Sequence, residues 1–212
     1  MNKPAVSHPL FARFFYLIGP IANKAGGDAH RKELLSGLSG RVIELGAGTG
    51  LNFPFYPPTV TEVLAIEPEP FMRKKAIDSA RVASVDVKVV DGVDSNLPAE
   101  NCEYDAAVVS LVLCSVSDPG IALKEIRRVL RVGGELRFYE HIVAEEPRLA
   151  RLQRRVDILW PYLGGGCHTS RDTVSAIETA GFIISSARRF KFQPSALAIP
   201  VSPHVIGTAI KG

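Results

Sequence analysis

The sequence predicts an α/β fold: a seven-stranded, mostly parallel sheet with helices on both faces and a C-terminal antiparallel hairpin. Three observations predict it. Short apolar runs alternate with helix-period segments along the chain, and the first run opens onto a glycine-rich loop. The last two runs are separated by a proline-bearing stretch that makes a poor crossover helix.

In order, HRKELLSGLSG (30–40) reads as a helix stopped at Gly37 or Gly40, the residue type that ends helices in the left-handed conformation. RVIEL (41–45) is a short buried strand and EVLAIEP (62–68) a second. FMRKKAIDSA (71–80) is a helix, VDVKVV (85–90) the third strand and YDAAVVSLVL (104–113) the fourth. DPGIALKEIRRVL (118–130) places Ile121, Leu123, Ile126, Val129 and Leu130 at helical spacing behind an Asp-Pro start, and RVGG then turns the chain. ELRFYEH (135–141) is the fifth strand. SRDTVSAIETAG (170–181) is a helix capped by Ser170 or Asp172 and stopped by Gly181. FIISSARRF (182–190) and HVIGTAIKG (204–212) complete the sheet, and the three prolines of KFQPSALAIPVSP between them imply antiparallel pairing.

The length of 212 residues suits one domain, and the even spread of motifs offers no linker that divides it. With 46% apolar and 22% charged residues the composition is that of a soluble globular protein, and a net charge of +3 is too mild for a nucleic-acid partner. Cys102, Cys114 and Cys167 are odd in number and have no close pairs, which argues against a disulfide framework and a structural metal and points to a reduced, cytoplasmic setting. The apolar run FFYLIGPIA (14–22) falls well short of the ~20 residues that span a bilayer. Residues 1–30 are expected to form a helical lid or surface segment ahead of a ligand-binding domain over 31–212.

The loop ELGAGTG places Gly46, Gly48 and Gly50 two apart behind Glu44. A dinucleotide fingerprint would need its third glycine at position 51, which is Leu. A nicotinamide-dependent oxidoreductase is therefore disfavoured. Glycines here let a backbone approach a ligand closely, or simply make a tight strand-to-helix turn. Glu67, at the end of the second strand, stands where an acid accepts hydrogen bonds from both ribose hydroxyls of an adenosine.

ELGAGTG, IEP at 66–68, DG at 91–92 and VLRVGGEL at 129–136 resemble the motifs of the class I S-adenosylmethionine-dependent methyltransferases, whose fold is Rossmann-like. The resemblance implies that Glu44 orients the loop and the methionine amino group, and that Gly46, Ala47, Gly48, Gly50 and Asn52 surround the methionine moiety. It implies that Glu67 and Pro68 meet the ribose, and Asp91, Gly92 and Val93 the adenine. Ser110 and Leu111 would face the sulfonium. The implied cofactor is S-adenosyl-L-methionine, with S-adenosyl-L-homocysteine as product. LNFPFYPP, LVLCSVSDP, LRFYEH, GGGCHTSRDT and IPVSPHVIGTAIK further resemble the membrane-associated alkyl thiol methyltransferases of the methyltransferase-like group. That likeness favours a small, fairly apolar thiol as acceptor, with oxygen or nitrogen acceptors and a non-catalytic cofactor-binding module as rivals. A long membrane-spanning N-terminus is not expected here, and HPLFARFFYLIGPIA is expected to cover the site or to touch a membrane surface peripherally.

Methyl transfer needs alignment and exclusion of water rather than a metal. Asp94 matches the family's candidate base, although DGVDSN is also turn composition. His141, at the end of the fifth strand, and His168, in the glycine loop GGGCHTS, are candidate acceptor contacts. Phe53 and Trp160 either wall an apolar acceptor pocket or pack as ordinary core. Cys114 reads as packing.

Overall fold

β1 (Gly40–Leu45), β2 (Val60–Ile66), β3 (Val87–Val90), β4 (Tyr104–Ser110), β5 (Leu130–His141), β6 (Phe182–Lys191) and β7 (Pro203–Lys211) form one sheet in the order β3-β2-β1-β4-β5-β7-β6. The computed structural model describes residues 9–212, so the first eight residues of the expected N-terminal segment lie outside the described residues. β1, β2, β3, β4 and β5 pair in parallel, with Glu44 opposite both Ala65 and Val108. β7 runs antiparallel to both β5 and β6.

Alternation along the central strands sends side chains to two cores, one on each face of the sheet. Ile43, Leu45, Val109, Leu136 and Phe138 join Leu123 and Ile126 on one face. Val42, Val63, Ala106 and Val108 join Leu34, Leu35 and Leu38 on the other. The second group includes α2 (Asp28–Leu35), reached from α1 (Pro9–Ala22) through a turn in which Gly26 has φ 122°. α3 (Pro70–Ala80) starts at Pro70 behind Glu69, whose carboxylate accepts from Met72 N at 2.8 Å. α4 (Pro119–Val129) starts the same way, with Asp118 accepting from Gly120 N at 2.8 Å.

Three local departures from the sequence reading have physical causes. RVGG is not a turn but part of β5, because Leu130 already pairs with Tyr104 and a register shift lets the strand continue to Glu135. A Cβ at Gly134 would lie 2.9 Å from the Arg131 carbonyl oxygen, so the kink requires glycine there. α5 (Pro147–Val156) and the short α6 (Trp160–Leu163) are additions to the sequence reading: α5 sets Leu149, Leu152 and Val156 at helical spacing among arginines, and α6 is a single turn. α5 buries only Ala150 and Gln153. Gln153 holds it in place: Nε2 donates to the carbonyls of Ile142, Thr169 and Pro200 at 2.8–3.1 Å, and Oε1 accepts from Ala144 N at 2.8 Å. α7 (Thr173–Thr179) is capped by Asp172, which accepts from Ser175 N at 3.1 Å.

Candidate active site

β1 and β4 are neighbours in space, while the chain after β1 winds one way along the sheet and the chain after β4 the other. Beyond their carboxyl ends is the crevice that such a reversal creates. A cavity of about 640 Å³ lies there, within the range of small-molecule sites.

The loop after β1 is tied to β2, since Gly46 N and Ala47 N both donate to the Ile66 carbonyl at 2.8 and 3.0 Å. Gly46 and Gly50 are fixed by packing. A Cβ at Gly46 would come 2.5 Å from Val112, and one at Gly50 2.7 Å from the Phe53 ring. Gly48, with φ 58°, differs: a Cβ there would meet nothing within 4 Å, and the residue lines the cavity.

Two buried glutamates hold this loop. Glu44 accepts from Asn52 Nδ2 at 2.8 Å and from the Tyr56 hydroxyl at 2.7 Å. Glu67 Oε2 accepts from Gly48 N at 2.7 Å and Oε1 from Glu69 N at 2.9 Å. Burial pushes each carboxyl up to about 7, against the pull of these hydrogen bonds. Both oxygens of Glu67 retain a lone pair for a further donor.

The other wall follows β4. Leu111 takes φ 60°, a left-handed conformation unusual outside glycine. The turn it begins is pinned by Glu140, fully buried, whose carboxylate accepts from Val112, Leu113 and Cys114 N at 2.9, 3.0 and 3.2 Å. Arg31 of α2 reaches the same region. Its Nη1 donates to Asn52 Oδ1 at 2.7 Å and to Ser110 Oγ at 3.4 Å, and its buried Nε has no partner among the described residues.

Of the residues singled out in the sequence, Glu44, Gly46, Ala47, Gly48, Asn52, Glu67, Pro68, Val93, Asp94, Ser110 and Leu111 line this one cavity. Asp94 is half-buried there. Gly50, Asp91 and Gly92 do not line it. Asp91 is exposed and paired with Arg73 at 3.0 Å, and Gly92 packs against Ile66. Phe53 is fully buried in the core rather than in an acceptor pocket, because the loop folds it back onto Gly50. His141, Trp160 and His168 do not line the cavity either: His141 Nδ1 turns to the sulfurs of Cys167 and Cys114, and His168 meets Cys114 through its backbone N–H, which donates to the Cys114 carbonyl at 2.8 Å.

The sequence reading passed over Arg31, which lines the cavity together with Phe11 and Phe15 of the segment expected to cover the site or touch a membrane. Arg31 had a visible signal: it shares the i, i+3, i+4, i+7 stripe of Leu34, Leu35 and Leu38, where a cation has no business unless something polar waits for it. Phe11 and Phe15 come from α1, which meets α3 through Tyr16 and Phe71, ring centroids 5.8 Å apart.

A family model described as a methyltransferase domain matches residues 43–138. Thiol S-methyltransferase TMT1B of Homo sapiens is 36% identical over 220 aligned positions, covering 96% of this chain and 88% of its own. Thiol S-methyltransferase TMT1A of Homo sapiens is 35% identical over 193, covering 85% and 78%. A solved S-adenosylmethionine-dependent methyltransferase of Thermotoga maritima, described as a possible histamine N-methyltransferase, shares the fold with a TM-score of 0.71 at 24% identity, over 95% of this chain and 98% of that one. The seven-stranded sheet, the glycine loop between two buried acids and a likeness spanning nearly the whole chain agree: the protein belongs to the class I S-adenosylmethionine-dependent methyltransferases.

Proposed function

We propose that the protein methylates the thiol of a small, fairly apolar acceptor. The likeness to thiol S-methyltransferases across most of the chain carries this reading. An acceptor space bordered by Phe11, Phe15, Leu51 and Val116 supports it.

The residues present fit the cofactor. Gly48 leaves open space beside the loop, Glu67 keeps acceptor capacity for ribose hydroxyls, and the unpartnered Arg31 Nε suits a carboxylate. We assign Glu67 and Pro68 to the ribose, Val93 to the adenine edge, and Glu44, acting through Asn52, to the methionine end beside Arg31. Ser110 and Leu111 face the sulfur. When bound, S-adenosylmethionine supplies a methyl group on a cationic sulfur. A free thiol of pKa about 8.5 is only a few per cent ionised at neutral pH, so a base is needed. Asp94 takes the proton of the acceptor thiol, and the aromatic side chains of α1 keep water away while residues 1–30 serve as a lid.

Calorimetric titration with S-adenosylhomocysteine, then a labelled-methyl assay over thiol, phenol and amine acceptors, tests the reading. Turnover should be highest on thiols, and Asp94→Asn should lower kcat with product affinity unchanged. Preference for phenols or amines would replace the thiol, and tight binding without turnover on any acceptor would leave a cofactor-binding module. Asp94 is not the base if the Asn variant turns over at the wild-type rate from about pH 6 to 9.

A second reading concerns the membrane. Among the described residues no helix is long and apolar enough to cross one. Leu10, Phe14, Leu17 and Ile21 of α1 nevertheless stand exposed, as do Ile158, Leu159, Tyr162 and Leu163. Phe11 lies against Gly165, which joins the two groups into one apolar surface. The neighbouring α5 presents exposed Arg148, Arg151, Arg154 and Arg155. Apolar side chains beside cations suit an anionic lipid surface from the cytoplasmic side. Cosedimentation with anionic vesicles, lost in Leu17→Glu with Leu163→Glu, tests it; equal recovery of wild type and variant would remove it.

A further inference from the structure

Three side chains outside the cofactor cavity converge from distant parts of the chain. Cys114 lies in the turn after β4, His141 ends β5, and Cys167 follows the glycine loop after α6. His141 Nδ1 is 3.3 Å from the Cys167 sulfur and 3.7 Å from the Cys114 sulfur, and the three atoms lie within 4.8 Å of one another.

The two nitrogen–sulfur separations match a coordination sphere. Zinc binds sulfur at ~2.3 Å and imidazole nitrogen at ~2.05 Å, so a tetrahedral arrangement sets nitrogen and sulfur ~3.6 Å apart and two sulfurs ~3.8 Å apart. The two observed nitrogen–sulfur distances bracket that value. Both cysteines are buried.

The surroundings hold the triad in place. Cys114 N donates to Glu140 at 3.2 Å, and His168 N donates to the Cys114 carbonyl at 2.8 Å, tying the two cysteine segments together. A Cβ at Gly166 would lie 2.7 Å from the Ser115 carbonyl oxygen, so glycine permits this approach. Outer partners of this kind orient ligands at metal centres.

We propose that Cys114, His141 and Cys167 form a binding site for a thiophilic metal ion, zinc(II) being the one whose bond lengths and ligand preference they fit. Binding deprotonates the thiols, releases their protons to solvent and leaves all oxidation states unchanged. Three protein ligands leave the fourth position for a water or another small ligand. Ser115 and Gly166, chain neighbours of the two cysteines, both line the cofactor cavity, so the metal adjoins the site without belonging to it. The proposal stands on these side chains and does not depend on the acceptor being a thiol.

The test uses full-length protein, stripped with chelator and fully reduced, with its thiols counted after denaturation. Titration with cobalt(II) should give a thiolate-to-cobalt charge-transfer band and strong visible bands of a four-coordinate ion. Both should saturate at one equivalent and vanish on adding zinc(II). Cys114→Ser, His141→Gln and Cys167→Ser should each weaken zinc affinity by more than the ~10- to 100-fold lost with an outer-shell partner. Cys102→Ser, at an exposed cysteine, should bind as wild type. Where a variant fails to fold, X-ray absorption of the wild-type cobalt complex decides, with two sulfurs and one imidazole expected. Fully reduced wild type that takes up no ion, or an unchanged spectrum in the double serine variant, overturns the proposal.

Discussion

Replacing Glu67 by Gln separates two duties of one side chain. The substitution keeps the volume and one acceptor but turns the other oxygen into a donor. Each carboxylate oxygen already accepts a backbone N–H, from Gly48 at 2.7 Å and from Glu69 at 2.9 Å. One of those N–H groups must then face a donor, at a cost of ~1–3 kcal/mol. Losing a charged acceptor for ribose removes ~1.5–3 kcal/mol of cofactor binding, or roughly 10- to 150-fold in affinity for S-adenosylhomocysteine. Urea unfolding and calorimetry at about pH 8 read the two effects separately.

Proton linkage adds a second signature. Burial holds the Glu67 carboxyl up to about 7, whereas hydroxyl donors favour its ionised form. Affinity in the wild type should therefore rise from about pH 6 to about 8, with protons released on binding, and the rise should flatten in the Gln variant, Glu44 accounting for what remains. For the empty protein the sign reverses. Folded Glu67 keeps its proton to about pH 7 while the unfolded chain loses it near the ordinary 4.5, so the wild type's stability relative to the variant falls across that window, by up to ~1.4 kcal/mol per pH unit. A variant that loses stability but binds S-adenosylhomocysteine as wild type at every pH would make Glu67 a loop anchor only.

Two glycines of one loop should fail differently. Gly46→Ala drives a Cβ into Val112 and should destabilise the protein by more than the ~1–2 kcal/mol of left-handed backbone alone, whereas Gly48→Ala should cost about that backbone strain yet weaken cofactor binding further. Thermal unfolding with calorimetry distinguishes them, and equal stability losses would count against the packing argument. Gln153→Leu leaves one buried N–H and three carbonyls without their partner and should cost ~2–5 kcal/mol in urea unfolding, a loss below ~1 kcal/mol being incompatible with its role as a hub. Deleting residues before Gly26 removes Phe11 and Phe15 from the cavity and should lower affinity for S-adenosylhomocysteine; unchanged affinity and turnover would remove the lid.

The central strands β1, β2 and β4 were legible because their buried apolar runs are punctuated by Gly, Pro or Asp, and the hairpin because prolines rule out a crossover helix. The glycines and Glu44 were legible because they are local, Glu44 standing near the end of β1 just before the loop of the glycines and Asn52, and Glu67 because it stands just after β2. α5 was not read, although Leu149, Leu152 and Val156 stand at helical spacing, and the Gln153 hydrogen bonds that seat it appear only once the chain has folded. Nor was the meeting of Cys114, His141 and Cys167, whose chain separations suggest no shared site and which come together only because β4 and β5 are neighbours and the glycine loop returns to them. Phe53 shows the limit of composition, since aromatic residues near a cofactor loop read alike whether they face the ligand or the core.

β7 lies between β5 and β6 although it follows both in the chain. β6 therefore leaves the ribosome before the strand that will hold it, and half of the backbone hydrogen-bonding edge of β5 waits for the same partner. Lys211 then closes the arrangement by burying its ammonium against the Leu130 carbonyl at 2.7 Å, at the start of β5. Completion of the sheet thus waits for the synthesis of β7, and nascent chains stalled before residue 203 should expose two unpaired strand edges to chaperones and to one another.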